Sequence, residues 1–150
     1  MLALATLAGL ASAHPAPSSV VRLEFLPGAV HLEYWLPASE LGYARLADPD
    51  GDLPAYLLRH VAAETAAGAR WRVAVETVRE AMYLDHPYFV AVLRLAPPAD
   101  ASTDGLVLID DAVTHEVRNH VVYVVAGRGA HSALVGALQY PARRLDVPSR

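Results

Sequence analysis

The sequence predicts an antiparallel β-sandwich of about seven strands with one inserted α-helix. Three observations carry that prediction. Apolar and polar residues alternate with period two in several short runs, turn residues separate those runs, and a single stretch switches to helical spacing. At 150 residues the chain is long enough for one domain with a substantial core.

The first thirteen residues, "MLALATLAGLASA", carry no charge and end in the small-residue pattern Ala11-Ser12-Ala13. The apolar part is too short to span a bilayer, so the segment reads as a secretory signal peptide cleaved after Ala13. A basic residue ahead of the apolar run is missing, which marks an atypical signal or a start codon further upstream. Residues 14–150 are then expected to form a single extracytoplasmic domain.

"HPAPSS" (14–19) is a proline-broken lead-in. "VVRLEFL" (20–26) and "AVHLEYWL" (29–36) flank Pro27-Gly28; Val30, Leu32, Tyr34 and Leu36 alternate with His31, Glu33 and Trp35, which reads as a hairpin. "PASELGYARL" (37–46) suggests a short helical turn capped by Ser39. "DPDGD" (48–52) leads into the helical stretch, predicted over about 52–67. Leu53, Tyr56, Leu57, His60 and Val61 share its face, Asp52 is the N-cap, and Gly68 is the stop. "WRVAVETVREAMYL" (71–84) and "YFVAVLRLAPP" (88–98), separated by Asp85-His86-Pro87, form a second hairpin. "GLVLIDDAV" (105–113), "HVVYVVA" (120–126) and "ALVGALQYP" (133–141) supply three more strands. The polar tail from about residue 141 is expected to be poorly ordered.

Composition excludes some functions. The twelve basic residues are all arginine, are scattered, and leave a net charge of −4, so nucleic acid finds no basic stripe to bind. No run after residue 13 is long enough for a membrane helix. Cysteine is absent, so an exported fold rests on its core rather than on disulfides. There is no glycine-rich phosphate loop, nucleophile elbow, H-E-x-x-H or cysteine nucleophile, and the chain reads as non-enzymatic.

The acidic clusters have structural readings. In "DPDGD" the glycine falls at position four and Arg59 at position twelve, unlike a calcium-binding EF-hand loop, so these aspartates read as a turn and a helix cap. Asp110 and Asp111 are adjacent on a strand, point to opposite faces, and read as a solvated strand end.

Seven histidines raise transition-metal binding, because imidazole suits nickel or copper better than calcium or magnesium. His31 and His86 read as a strand's solvent face and a turn, and His60 as a boundary residue of the helix. His14 would become the mature N-terminus after cleavage, where its amine and ring together could chelate copper. "THEVRNH" (114–120) places Glu116 between His115 and His120. Five is an odd spacing, so on one continuous strand the two rings face opposite sides; they meet only if "EVRN" turns or bulges. The candidate metal ligands are therefore His115, His120, Glu116 and His14. The alternative role for "THEVRNH" is a solvent-facing or partner-binding strand surface.

The order of these segments resembles the extracytoplasmic N-terminal domain of the HupE/UreJ-like membrane proteins. The resemblance rests on an export signal ending "AHP", then "SSVVRLEF", "LPASEL", "LPAYLLRHV", "WRVAVE" and "LIDDAVTHEVRNHVVYVVA". It spans about residues 13–140, with Asp111, Val113, His115, Val117 and His120 in its best landmark. It implies a β-rich domain preceding a multi-helix membrane part related to nickel permeases. That part does not follow here, so a truncated, excised or stand-alone form is expected. The expectation is an accessory or sensor domain with a membrane or envelope protein partner and, through the absent part, an association with a divalent transition metal such as nickel or copper. A metal-independent interaction module, docking by a sheet edge or by "THEVRNH", is the alternative, and a His-dependent hydrolase is the third.

Overall fold

A computed structural model describes residues 17–149; the expected signal segment and His14 lie outside these residues. The chain is mostly β, as expected, but holds nine strands and two α-helices among the described residues rather than seven and one.

The first hairpin pairs β1 (Ser19–Leu26) with β2 (Ala29–Pro37). Gly28 makes its turn with a left-handed backbone, φ +74°, which a side chain would strain. Helix α1 (Ala38–Ala47) follows at once. It is longer than the expected turn, and neither Ser39 nor its cap residue Pro37 supplies a side-chain cap. Helix α2 (Leu53–His60) starts as expected, with Asp52 Oδ1 accepting from the Ala55 N–H at 2.9 Å.

The helix does not run on to Gly68. It ends at His60, and Val61–Glu64 becomes strand β3. This strand pairs with β6 (Gly105–Asp110), which buries Val61 and Ala63; sheet pairing with a distant strand outweighs the weak preference of "VAAE" for continuing a short helix. Gly68 instead closes the turn from Thr65 to Ala69.

Strands β4 (Arg72–Tyr83) and β5 (His86–Ala96) form a long hairpin, so His86 and Pro87 belong to a strand and the turn is Leu84-Asp85. Then come β7 (Val122–Ala126), β8 (Ala133–Leu138) and β9 (Arg144–Pro148). The last corrects the expectation of a frayed tail: Leu145 and Val147 alternate with Asp146, and β9 pairs antiparallel with β6.

One sheet runs β4-β5-β2-β1-β7-β8 and the other β3-β6-β9. Pairing is antiparallel except between β1 and β7, which are parallel. The inner face of the large sheet, including Val21, Leu23, Leu32, Leu36, Leu93 and Val124, shares one core with Ala63, Leu108 and Val147 of the small sheet and with Tyr56 and Leu57 of α2. The opposite face of the large sheet is its solvent side. Two polar regions follow from this layout: the seam where residues 111–121 carry the chain from the small sheet to β7, and the aromatic outer face.

Candidate functional site

The seam begins at Asp110, the last residue of β6. Alternation does send Asp110 and Asp111 to different surroundings, but Asp110 is completely buried rather than solvated. Its Oδ2 accepts from the Tyr34 hydroxyl at 2.6 Å and its Oδ1 from the Ala112 N–H at 3.0 Å. Burial pushes the Asp110 carboxyl up to about 6, against the opposing pull of these two donors. Burial, reinforced by the neighbouring carboxylate, also raises the Tyr34 phenol well above its usual range.

"THEVRNH" is neither the tail nor the head of a strand. The Val117 N–H donates to Val113 O at 3.0 Å, His115 N–H to Asp111 O at 3.2 Å and His120 N–H to Val117 O at 2.9 Å, so the segment coils in successive turns. The turn that a shared site requires is present, yet the two rings have different partners.

The His115 ring stacks on His60, with centroids 4.4 Å apart and planes 20° from parallel. Its Nδ1 donates to Asp111 O at 2.7 Å, which leaves the lone pair on Nε2, a buried atom without a hydrogen-bond partner. The His120 ring points into the fold. Its Nε2 accepts from the Ser19 hydroxyl at 2.8 Å and from the Ser19 N–H at 3.2 Å, so the ring proton sits on Nδ1, 4.0 Å from Glu40 Oε2. Burial pushes His120 down to about 4, which keeps it neutral. Glu116 is exposed, and Arg118 lies over the Tyr140 ring rather than pairing with Glu116.

The sequence reading missed both sets of partners. Two buried pairs result, Asp110 with Tyr34 and Ser19 with His120, and Glu40 lies 4.0 Å from His120 Nδ1 without a hydrogen bond. Ser19, His120 and Glu40 follow the serine–imidazole–carboxylate order of a hydrolase triad, but the imidazole makes no hydrogen bond to the carboxylate. Ser19 and His120 are also buried and point toward the core, so no substrate reaches Oγ without opening the sheet. In this state the Ser19–His120 pair ties the start of β1 to the start of β7, alongside the Ser19 N–H bond to Val121 O.

The second set surrounds His60. Its Nδ1 lies 2.8 Å from Asp111 Oδ1 and its Nε2 3.1 Å from Asp48 Oδ2, an arrangement in which only a doubly protonated ring donates to both. Asp48 also takes two bonds from Arg59, at 2.9 and 3.0 Å; these, followed by the contact with His60, hold its carboxyl below the usual range. The helical face that placed His60 beside Tyr56 was legible, but its two aspartates come from the turn before the helix and from the far end of β6.

Of the expected metal ligands, the described ones, His115, His120 and Glu116, do not converge on one point. His115 and His120 sit in separate environments, Glu116 faces solvent, and both nitrogens of His60, stacked on His115, are taken up by aspartates. Among the described residues no group of three or more His, Asp or Glu is arranged to hold a metal.

The outer face of the large sheet carries the remaining candidate. Trp35, Tyr83 and Tyr88 meet edge to face, with centroids 6.1–6.3 Å apart. Trp35 Nε1 donates to Glu33 Oε1 at 2.7 Å, and the Arg79 guanidinium lies over the Trp35 ring. With Val20, Arg22 and Tyr123 these rings line a cleft of about 340 Å³. Beyond it the β4–β5 turn exposes Met82 (67%), Tyr83 (56%) and Leu84 (74%).

No protein-family model matches the chain, and no curated protein matches it either. Among the described residues no helix is long and apolar enough to cross a membrane.

Proposed function

We propose that the chain works by binding rather than catalysis, as an extracytoplasmic accessory or sensor module of a HupE/UreJ-like membrane system. In this reading the β4–β5 turn is the contact with a membrane or envelope protein. One observation carries it. Leu84 and Asp85 both adopt left-handed backbone, φ +48° and +63°, where a two-residue turn favours Asn or Gly. The strain, of order 1 kcal/mol per residue, holds a leucine at the apex in water, flanked by Met82 and Tyr83. An apolar apex on a strained turn has no role in the chain's own core, and a socket on a partner would bury it.

The chain has no cysteine, so Leu84→Cys introduces one reactive thiol. Co-expressed with a HupE/UreJ-like membrane protein, this variant is expected to react with a maleimide at least roughly tenfold more slowly than alone, given burial of the apex. Equal labelling rates with and without the membrane protein would remove the apex from the interface.

A transition-metal reading keeps one foothold. His115 donates through Nδ1 to a backbone carbonyl and leaves Nε2 free, the orientation a ligating histidine adopts. Titration of the mature chain with Ni²⁺ and Cu²⁺ tests it by calorimetry: His115→Ala should abolish binding while His120→Gln leaves it intact. Binding that survives His115→Ala, or none tighter than millimolar in the unaltered chain, ends this reading.

A further inference from the structure

The aromatic cleft lies on the open sheet face beside the docking turn and shares one residue, Tyr83, with it. Register places its parts in one row. Val20 of β1 stands opposite Trp35 of β2 on one side and Tyr123 of β7 on the other. Two interstrand spacings therefore separate the Trp35 and Tyr123 backbones, roughly 10 Å. The apolar floor between them is Val20, and the Tyr83 and Tyr88 rings wall the Trp35 end.

The platform is already formed. Val90 pairs with Trp35 and so faces the same solvent side of the sheet, yet it is completely buried. The glutamate bond on Nε1, the edge-to-face tyrosines and the Arg79 cation hold the indole in place, so a ligand meets a rigid surface and orders little on binding.

The cleft's chemistry selects the ligand. Arg22 is the one charged residue lining the cleft, with Glu33 directly across the β1–β2 ladder from it, and the Arg79 guanidinium is engaged over the indole, so no cluster of like charge converges on the cleft to select an ionic ligand. What remains is aromatic surface with hydroxyl-bearing residues, three tyrosines and Ser18, and the Arg22 guanidinium as a donor. A pyranose ring matches that combination. Its axial C–H groups form an apolar face that packs on an aromatic ring, while its equatorial hydroxyls exchange hydrogen bonds with the rim.

We propose that the outer-face cleft formed by Trp35, Tyr83, Tyr88 and Tyr123 binds a neutral oligosaccharide of pyranose units. One sugar ring lies against Trp35 and a later one against Tyr123. The strand-to-strand separation makes the site longer than one sugar, so affinity rises with chain length until both aromatics are covered.

Calorimetric titration of the full chain with maltohexaose, cellohexaose and chitohexaose, and with the corresponding disaccharides, tests the site. At least one hexasaccharide is expected to bind saturably and at least roughly tenfold tighter than its disaccharide. Tyr123→Ala, at an exposed position that leaves the core intact, should weaken that binding at least tenfold, and Trp35→Ala should abolish it. Circular dichroism and thermal unfolding of both variants establish that they remain folded. If Trp35→Ala unfolds, the Tyr123→Ala result alone decides. The absence of saturable binding by all three hexasaccharides at millimolar concentration overturns the proposal. Affinity unchanged in Tyr123→Ala does the same, as does saturation by decaproline in place of any sugar, which would make this a peptide groove.

Discussion

Replacing Tyr34 with phenylalanine is expected to lower the unfolding free energy by about 3 kcal/mol near pH 8 but only about 1 kcal/mol near pH 5. The substitution deletes one hydroxyl and opens no cavity, so the loss reports on Asp110. At pH 8 that carboxyl, raised to about 6, is ionised inside the core, and its charge is met by the Tyr34 hydroxyl and the Ala112 N–H. Phenylalanine leaves a buried carboxylate with one donor, and the desolvation penalty reappears. At pH 5 the carboxyl is protonated, and the variant loses only an ordinary neutral hydrogen bond. Urea unfolding at the two pH values measures both losses. Equal losses would mean that the hydroxyl acts by packing and not through the carboxylate's charge.

The Tyr34–Asp110 pair also shows where sequence reasoning stops. Tyr34 was legible as an inward residue because Val30, Leu32, Tyr34 and Leu36 alternate within one strand, a purely local signal. The apolar run of β6 was legible too, although the strand expected over 105–113 stops at Asp110. The Tyr34–Asp110 contact was not, because a burial site for the carboxylate depends on which distant strand lies across the core. The same division separates the two ends of helix α2. Asp52 announces the start of α2 from three residues away, whereas its end at His60 is set by pairing of Val61–Glu64 with β6, far along the chain.

"THEVRNH" failed differently, because its own spacing held the answer. Val113 and Val117 are four apart, a helical-turn signal, and the Val117 N–H does bond to Val113 O. Reading the segment as strand gave weight to the flanking apolar runs over this local pattern. The candidate site was therefore legible as a region, at His115 and His120, but not in its pairings. His60, Asp48, Ser19 and Glu40 come from segments whose own signals are helix caps, turns and strand starts. The aromatic cleft was equally hidden: Trp35 reads as the polar-face member of an alternating strand, and only register places Tyr123 two strands away in its row.

Asp110 and His120, both buried in the core, are expected to oppose each other across acid pH. Folded Asp110 holds its proton up to about pH 6, whereas the unfolded carboxyl releases it near 3.8. Its contribution is therefore full below the unfolded value and is lost as pH rises through the folded one, by about 3 kcal/mol at most. Folded His120 stays neutral down to about pH 4, whereas the unfolded ring charges near 6.5. Its contribution is full above 6.5 and is lost as pH falls toward 4, again by about 3 kcal/mol at most. Between about pH 4 and 6 the two slopes have opposite sign and nearly cancel.

Single substitutions should expose the hidden slopes. Asp110→Asn keeps an acceptor for the Ala112 N–H but cannot ionise, so relative to the unaltered chain it gains stability as pH rises from 4 to 6. His120→Gln keeps an acceptor for Ser19 but cannot charge, so it gains relative stability as pH falls over the same interval. The double variant should restore the original, nearly level difference. Urea unfolding of all four proteins at pH 4, 5, 6 and 7 supplies the comparison, and other titrating groups cancel because they are common to every chain. A pH-independent difference between Asp110→Asn and the unaltered chain would mean that Asp110 titrates alike in the folded and unfolded states. Burial in the core would then not be perturbing it, and the pH-dependent loss expected for Tyr34→Phe would have to vanish with it.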